Sequence, residues 1–209
     1  MDLEFAHIES FYDVLNLEAS MLRYVFEHLN ERVAHELALW QVELPLIDEI
    51  PVLEFTDVKR IVEEEYGIKP KESFDLAPIE EQKISEYIKA KHDSDFVFIT
   101  HYPSAKRPFY AKDDPENPEY TLSFDLLFRG VEITSGGQRI HDYDELVAKM
   151  IAKGMNPKEF EFFSNAHKYG LPPHGGLGLG LERLTQRLLG LDNIKSATMF
   201  PRDAVRLSP

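Results

Sequence analysis

The chain has 209 residues, 43% of them hydrophobic, with 14 Phe and 9 Tyr, which is enough to build one sizeable core. It has no cysteine, which excludes disulfides and thiolate metal sites and fits a reducing, cytoplasmic setting; no signal peptide and no apolar run of membrane-spanning length is present. A net charge of −14 excludes indiscriminate nucleic-acid binding, which depends on neutralising phosphates, but leaves room for a specific RNA held by a local patch.

Residues 1–8 alternate, with Leu3 and Phe5 on one side and Asp2, Glu4 and Ala6 on the other, the pattern of a strand that needs neighbours. Residues 11–34 repeat apolar positions at three and four (Val14, Leu15, Leu22, Val25, Phe26, Leu29) and predict a helix. Residues 35–50 are apolar but irregular, broken by Pro45 and then Pro51. Phe55 to Tyr66 reads as a short helix capped by Thr56 and stopped at Gly67. Pro78 to Lys91 reads as another, with the proline in its first turn and Ile79, Ile84, Tyr87 and Ile88 along one face. Asp95 to Thr100 is an apolar run suited to a buried strand. Tyr102 to Tyr110 follows as a loop turning into a further strand, and Asp113 to Pro118 is a surface loop.

Tyr120 to Thr134 carries two apolar segments flanking Arg129-Gly130, the pattern of a hairpin with a tight turn. A two-residue loop sets Phe128 opposite Val131, Leu127 opposite Glu132 and Asp125 opposite Thr134. Phe124, Leu126, Phe128, Val131 and Ile133 then form an apolar core face. Asp125, Leu127, Glu132 and Thr134 form the other face, with the two acids roughly 7–8 Å apart at the backbone. Two carboxylates so spaced suit a hard cation carried on substrate phosphates, as magnesium normally is. They are equally compatible with the wet side of a half-buried sheet. Ser135-Gly136-Gly137-Gln138-Arg139-Ile140-His141 comes next. The glycines permit close backbone approach, and Arg139 is a candidate clamp for a planar acid. Asp142 to Lys153 and Pro157 to Tyr169 read as two helices separated at Gly154.

His174 to Arg183 separates at a period of two into Gly176, Gly178 and Gly180 on one face and Leu177, Leu179 and Leu181 on the other. Glycine weakens a strand interior and marks a place where something approaches the backbone. The expectation is a bare floor for a flat ring such as adenine, anchored to the core by the leucines. Glu182-Arg183 then opens a helical pattern, and the Arg183 guanidinium suits phosphate. The spacing matches neither a dinucleotide fingerprint nor a P-loop.

These residues together resemble the catalytic domain of class II aminoacyl-tRNA synthetases, in particular aspartyl-tRNA synthetases of the archaeal and eukaryotic type. Three blocks carry the resemblance over nearly the whole chain. The first is Tyr102-Pro103 through Arg107-Pro108-Phe109-Tyr110. The second is Phe124-Asp125, Arg129 to Ile133 and Ser135 to His141. The third runs from Pro172-Pro173-His174 through Gly180-Leu181-Glu182-Arg183 to Phe200-Pro201-Arg202-Asp203, closing at Arg206-Leu207-Ser208-Pro209.

The resemblance implies an α+β fold, an antiparallel sheet with helices on one side, in a single domain. It implies condensation of L-aspartate with ATP to aspartyl-adenylate, followed by transfer to tRNA, with Mg2+ as cofactor and a homodimer as the family's assembly. Glu132 would hold ATP through magnesium, with Ser135 and Asp125 as further metal contacts. Gly180, Leu181, Glu182 and Arg183 would contact ATP, with Arg183 on the phosphates. Ser135, Arg139, Asp2 and Arg107 would form the aspartate site, Arg139 on the side-chain carboxylate and Asp2 on the α-amino group, with Arg107 or Lys106 adding positive potential. The family's anticodon-binding domain, its dimer motif and an α-phosphate arginine are expected before Met1. A chain lacking that arginine is expected to adenylate poorly, since one lost transition-state contact costs about 2.7–4 kcal/mol. Asparaginyl-tRNA synthetase, a related asparagine synthetase and an inactive nucleotide-binding paralogue remain alternative readings.

Overall fold

One six-stranded sheet organises the chain, built from β1 (Asp2–Ala6), β2 (Val52–Glu54), β3 (Phe96–Thr100), β4 (Ser123–Phe128), β5 (Val131–Gln138) and β6 (His174–Leu179). Their spatial order is β1-β6-β5-β4-β3-β2, antiparallel throughout except for the short edge strand β2, which runs parallel to β3. The computed structural model describes residues 1–70 and 72–207, so Ser208 and Pro209, which close the third sequence block, lie outside the described residues. The α-helices among them are α1 (Tyr12–Arg32), α2 (Ala34–Leu39), α3 (Phe55–Tyr66), α4 (Pro78–His92), α5 (Tyr143–Ala152), α6 (Glu161–Lys168) and α7 (Leu181–Leu189). No helix among the described residues is long and apolar enough to cross a membrane.

Helices cover both faces of the sheet, which corrects the expectation of helices on one side. On the back face, Val14, Leu15, Leu22 and Phe26 of α1 pack against Phe96, Phe98, Phe124, Leu126, Phe128, Leu177 and Leu179. On the front face, Val58 and Val62 of α3 and Ile84 and Ile88 of α4 pack against Val97, Ile99 and Leu127. This two-sided burial is why β3 reads as an apolar run and β4 is buried along its whole length. Burial of each such side chain contributes roughly 1.5–3 kcal/mol. The helices α3 and α4 cover only the β2–β4 half of the front face. The half made by β5, β6 and β1 is open, bordered by a third cluster in which Ile140, Leu146 and Met150 meet Phe109 and Phe163.

Several local expectations change. Thr56 is the second residue of α3, not its cap: Glu54 holds the extended N-cap position without a side-chain cap, while Gly67 ends the helix at φ +66°. Pro78 opens α4, and the Glu80 carboxylate reaches back to the Ala77 N–H at 2.7 Å, but Ile79 points to solvent. The apolar stretch after residue 33 forms the short α2, which buries none of its residues. Pro157 to Phe160 is a 3-10 turn leading into α6.

The hairpin turns at Arg129-Gly130, both with positive φ (47° and 84°), as a two-residue turn matched to strand twist requires. Phe128 faces Val131 and Leu127 faces Glu132, as expected. The register then slips by one, so that Asp125 faces Ser135 and Leu126 faces Thr134, which overturns the pairing of Asp125 with Thr134. The slip is a bulge on β5 at Ile133-Thr134. Both side chains turn to the back: Ile133 joins the core and Thr134 sits opposite Leu126, almost fully buried. Strict alternation would place Glu132 and Ser135 on opposite faces, and the bulge places both on the front.

Candidate active site

The open half of the front face is a cleft of about 610 Å³ whose walls include Asp2 and Glu4 of β1, Ser135 of β5, Gly178 of β6, Arg139 and Arg107. Alternation along β1 aims Asp2 and Glu4 into it, while Leu3 and Phe5 pack on the core. Arg139 follows β5 directly and Arg107 lies on the loop between β3 and β4. Asp113 accepts from Ser104 at 2.6 Å and from the buried Lys149 of α5 at 2.6 Å, fastening that loop to the helix.

Acids and arginines alternate at the end nearest α4. The Arg183 guanidinium donates to the Glu132 carbonyl at 2.9 Å and to its carboxylate at 3.1 Å, and the Ser135 hydroxyl donates to the same carboxylate oxygen at 3.3 Å. Arg183 reaches this point because α7 begins immediately after β6, with Gly180 at its N-cap. Arg107 lies 2.7 Å from Asp125 Oδ2, with its guanidinium 4.0 Å from the centre of the Tyr102 ring. Asp125 Oδ1 is buried and has no hydrogen-bond partner among the described residues. Glu81 of α4 leans over the group; burial, with Glu132 and Asp125 nearby, pushes its carboxyl up to about 7, and Arg183 opposes the shift. Glu132 is also raised, first by burial and then by Asp125, against Arg183 and Ser135.

Three carboxyls crowded against two guanidiniums, one with an orphaned oxygen, fit a hard divalent cation. Among the described residues no group of three or more acidic or imidazole side chains could hold an ion unaided. Magnesium carried on a polyphosphate needs only one or two protein carboxylates beside its waters and phosphate oxygens.

At the other end of the cleft an arginine already holds one of the protein's own carboxylates. Arg139 grips Glu4 Oε1 through Nε at 3.2 Å and Nη2 at 2.8 Å, with its guanidinium 5.2 Å from the centre of the Tyr110 ring. Glu4 can lie there because residue 176 is glycine: a Cβ at that position would sit 2.3 Å from the Glu4 carboxylate and 2.2 Å from the Leu3 carbonyl.

The glycine face is therefore not one bare floor. Gly178 is open, with nothing within 4 Å of a would-be Cβ, whereas the space at Gly176 is filled and Gly180 lies beside the Arg183 stem. Leu177 and Leu179 anchor the strand as expected, but Leu181 is 59% exposed at the start of α7 and anchors nothing. Glu182 is exposed in the same turn.

The structure brings Asp2, Arg107, Ser135 and Arg139 to one cleft and sets Asp125, Glu132 and Arg183 beside it. Lys106 does not join them; it pairs with Asp75 at 2.8 Å and is absent from the cleft lining. Glu4, His167 and His174 also line the cleft and Glu81 leans toward the Glu132 side, and the sequence reading assigns a role to none of them. Glu4 shares a strand face with Asp2 and His174 shares one with Gly176, so alternation alone could have found both. Nothing local to residues 81 or 167 signals that tertiary packing brings α4 and α6 to the site.

The chain belongs to the class II tRNA synthetases of the D, K and N group, whose family model matches residues 1–204. Within that class the similar curated proteins include aspartate–tRNA ligases. An aspartate–tRNA(Asp/Asn) ligase of Thermus thermophilus is 44% identical over the whole chain and 49% of its own length. An aspartate–tRNA(Asp) ligase of Pyrococcus horikoshii is 39% identical over the whole chain and 48% of its own length. The fold matches an aspartyl-tRNA synthetase from Entamoeba histolytica with a TM-score of 0.93 at 33% identity, over all of this chain and 44% of that one. It also matches an asparaginyl-tRNA synthetase from Pyrococcus horikoshii with a TM-score of 0.90 at 31% identity, over all of this chain and 49% of that one. The chain spans about half the length of these relatives.

Proposed function

We propose that this chain carries the aspartate- and ATP-binding part of an aspartate–tRNA ligase, which joins L-aspartate to ATP as aspartyl-adenylate and passes the acyl group to tRNA. The observation that carries this reading is a cleft flanked at two ends: Arg139 grips a carboxylate inside it, and Arg183 meets Glu132 just beyond its Ser135 wall. In the first step an α-carboxylate oxygen of aspartate attacks the α-phosphorus and pyrophosphate leaves, so no proton moves. What the protein must supply is orientation and charge.

Arg139 holds the aspartate side-chain carboxylate by displacing Glu4, and Asp2 accepts from the α-ammonium group. Gly178 leaves space for the adenine plane. Arg183 lies on the phosphates, and Gly180, Leu181 and Glu182 approach the nucleotide through the first turn of α7, whose N-terminus favours anions. Glu132, Ser135 and Asp125 would hold Mg2+ on the triphosphate; when bound, the ion offsets charge developing on the phosphoryl oxygens. Arg107, 2.7 Å from Asp125, holds that carboxylate in place toward that end. The acyl acceptor is the terminal ribose hydroxyl of tRNA, and a cysteine-free enzyme of this kind suits the cytoplasm.

Calorimetric titration with non-hydrolysable sulfamoyl analogues of aspartyl- and asparaginyl-adenylate tests the reading. The aspartyl analogue is expected to bind at least about tenfold more tightly, because the asparagine amide cannot replace a carboxylate in the Arg139 fork. Equal affinity, or preference for the asparaginyl analogue, would favour the asparaginyl-tRNA synthetase reading that the structural likeness also allows. Binding of neither would remove both.

A further inference from the structure

Polar groups lie behind the site as well as in it. Glu18 of α1 has no exposed surface, and neither of its carboxylate oxygens has a hydrogen-bond partner among the described residues. Thr134 of β5 is its polar neighbour, and Thr134 Oγ1 is also without a partner. Burial pushes the Glu18 carboxyl up to about 7, with the Thr134 hydroxyl acting in the opposite sense. An ionised carboxylate with no cation beside it is costly in an apolar layer, so burial favours the neutral acid, while the Thr134 hydroxyl can donate to its oxygens.

Thr134 belongs to the bulge that turns two successive side chains of β5 to the back of the sheet. One residue before the bulge stands Glu132 and one residue after it stands Ser135, and these two share the front face only because the bulge is there. A bulged residue leaves the strand ladder and depends on its surroundings to fix it. Ile133 is fixed by the apolar core, whereas Thr134 meets a carboxyl in an otherwise apolar layer made with Leu126 and Leu179.

We propose that Glu18 is a positioning residue which, through Thr134, holds the β5 bulge so that Glu132 and Ser135 face the cleft side by side. The geometric part stands on the bulge itself, and its consequence for binding rests on the nucleotide site proposed above. Three substitutions separate shape from hydrogen bonding. Glu18→Gln keeps a donor and acceptor, Glu18→Leu keeps bulk only, and Thr134→Val removes the hydroxyl alone and serves should Glu18→Leu fail to fold.

Hydrogen–deuterium exchange on the ligand-free chain reads the bulge directly. Amides of Glu132 to Ser135 are expected to exchange about tenfold faster in Glu18→Leu and Thr134→Val, with Phe96 to Thr100 unchanged and Glu18→Gln close to the wild type. In parallel, the Mg2+ concentration needed for half-maximal ATP binding should rise about tenfold in the first two variants and be restored by glutamine. Exchange that stays at wild-type rates in Glu18→Leu and Thr134→Val, or rises equally across the sheet, would overturn the proposal. If the wild type binds no Mg·ATP, the nucleotide reading falls while the exchange pattern still decides the role of Glu18.

Discussion

Gly176 and Gly178 lie on the same face of β6, two residues apart, and adding one methyl group to each should have opposite consequences. At position 176 the new Cβ meets backbone, the Leu3 carbonyl at 2.2 Å, as well as the Glu4 carboxylate at 2.3 Å. A backbone atom cannot swing aside as a side chain can, so β1 must shift. Overpacking of this kind costs typically about 1–3 kcal/mol, which in a domain of this size lowers the melting temperature by roughly 2–12 °C. Gly176→Ala should also weaken the Arg139–Glu4 pair, because β1 carries Glu4. At position 178 the same methyl meets nothing within 4 Å. Gly178→Ala should melt within about 4 °C of the wild type, since the loss of unfolded-chain freedom favours alanine by only about 0.4–1 kcal/mol. Its methyl stands where we place the adenine ring, so affinity for Mg·ATP should fall by about tenfold or more. Thermal melts and nucleotide titrations on the two variants check both halves. Equal destabilisation by the two methyls would refute the packing argument, and unchanged ATP affinity in Gly178→Ala would refute the floor.

Three further outcomes are expected. Arg139→Leu should reduce affinity for the aspartyl-adenylate analogue by about 2–5 kcal/mol in a calorimetric titration, while the melting temperature changes little, since Glu4 is half exposed and can turn to water. Lys59→Met should destabilise by about 3–5 kcal/mol in denaturant melts, because it strands the buried Glu80 carboxylate, which Lys59 meets at 2.8 Å; adding Glu80→Gln should recover part of the loss. Glu18 should make stability depend on pH: its folded pKa of about 7 lies above the unfolded value of about 4.5, so its contribution is complete below the unfolded value and is lost as pH rises through 7. The full change is at most about 3 kcal/mol, and Glu18→Gln should remove that slope from melts taken between pH 4.5 and 8.

How much of this was legible in the sequence depended on how local its cause is. The Arg129-Gly130 turn was legible because two positive φ angles in a two-residue loop demand such residues, and the α4 start was legible because proline fits a first turn. The gathering of Asp2, Ser135 and Arg139 at one cleft was visible through the family likeness. The bulge was not, because Ile133 and Thr134 are both ordinary strand residues and nothing in the local pattern says which of them leaves the ladder. Thr56 has a capping side chain, yet the N-cap lies two residues earlier, at an extended Glu54. The glycine face was read as uniform because the sequence cannot show that Glu4, some 170 residues away in the chain, fills the space above Gly176. Helices on both faces were missed for the same reason: continuous apolar strands such as β3 announce two-sided burial, but not what provides it.

The most direct test of the account is a crystal structure of the chain with Mg2+ and the sulfamoyl analogue of aspartyl-adenylate. We expect the side-chain carboxylate in the Arg139 fork with Glu4 turned away, the adenine over Gly178, and the central sulfamoyl group on the side of Arg183 and Glu132. An analogue bound with its carboxylate away from Arg139, or with Glu4 still held there, would contradict the two-ended cleft on which the proposed function stands.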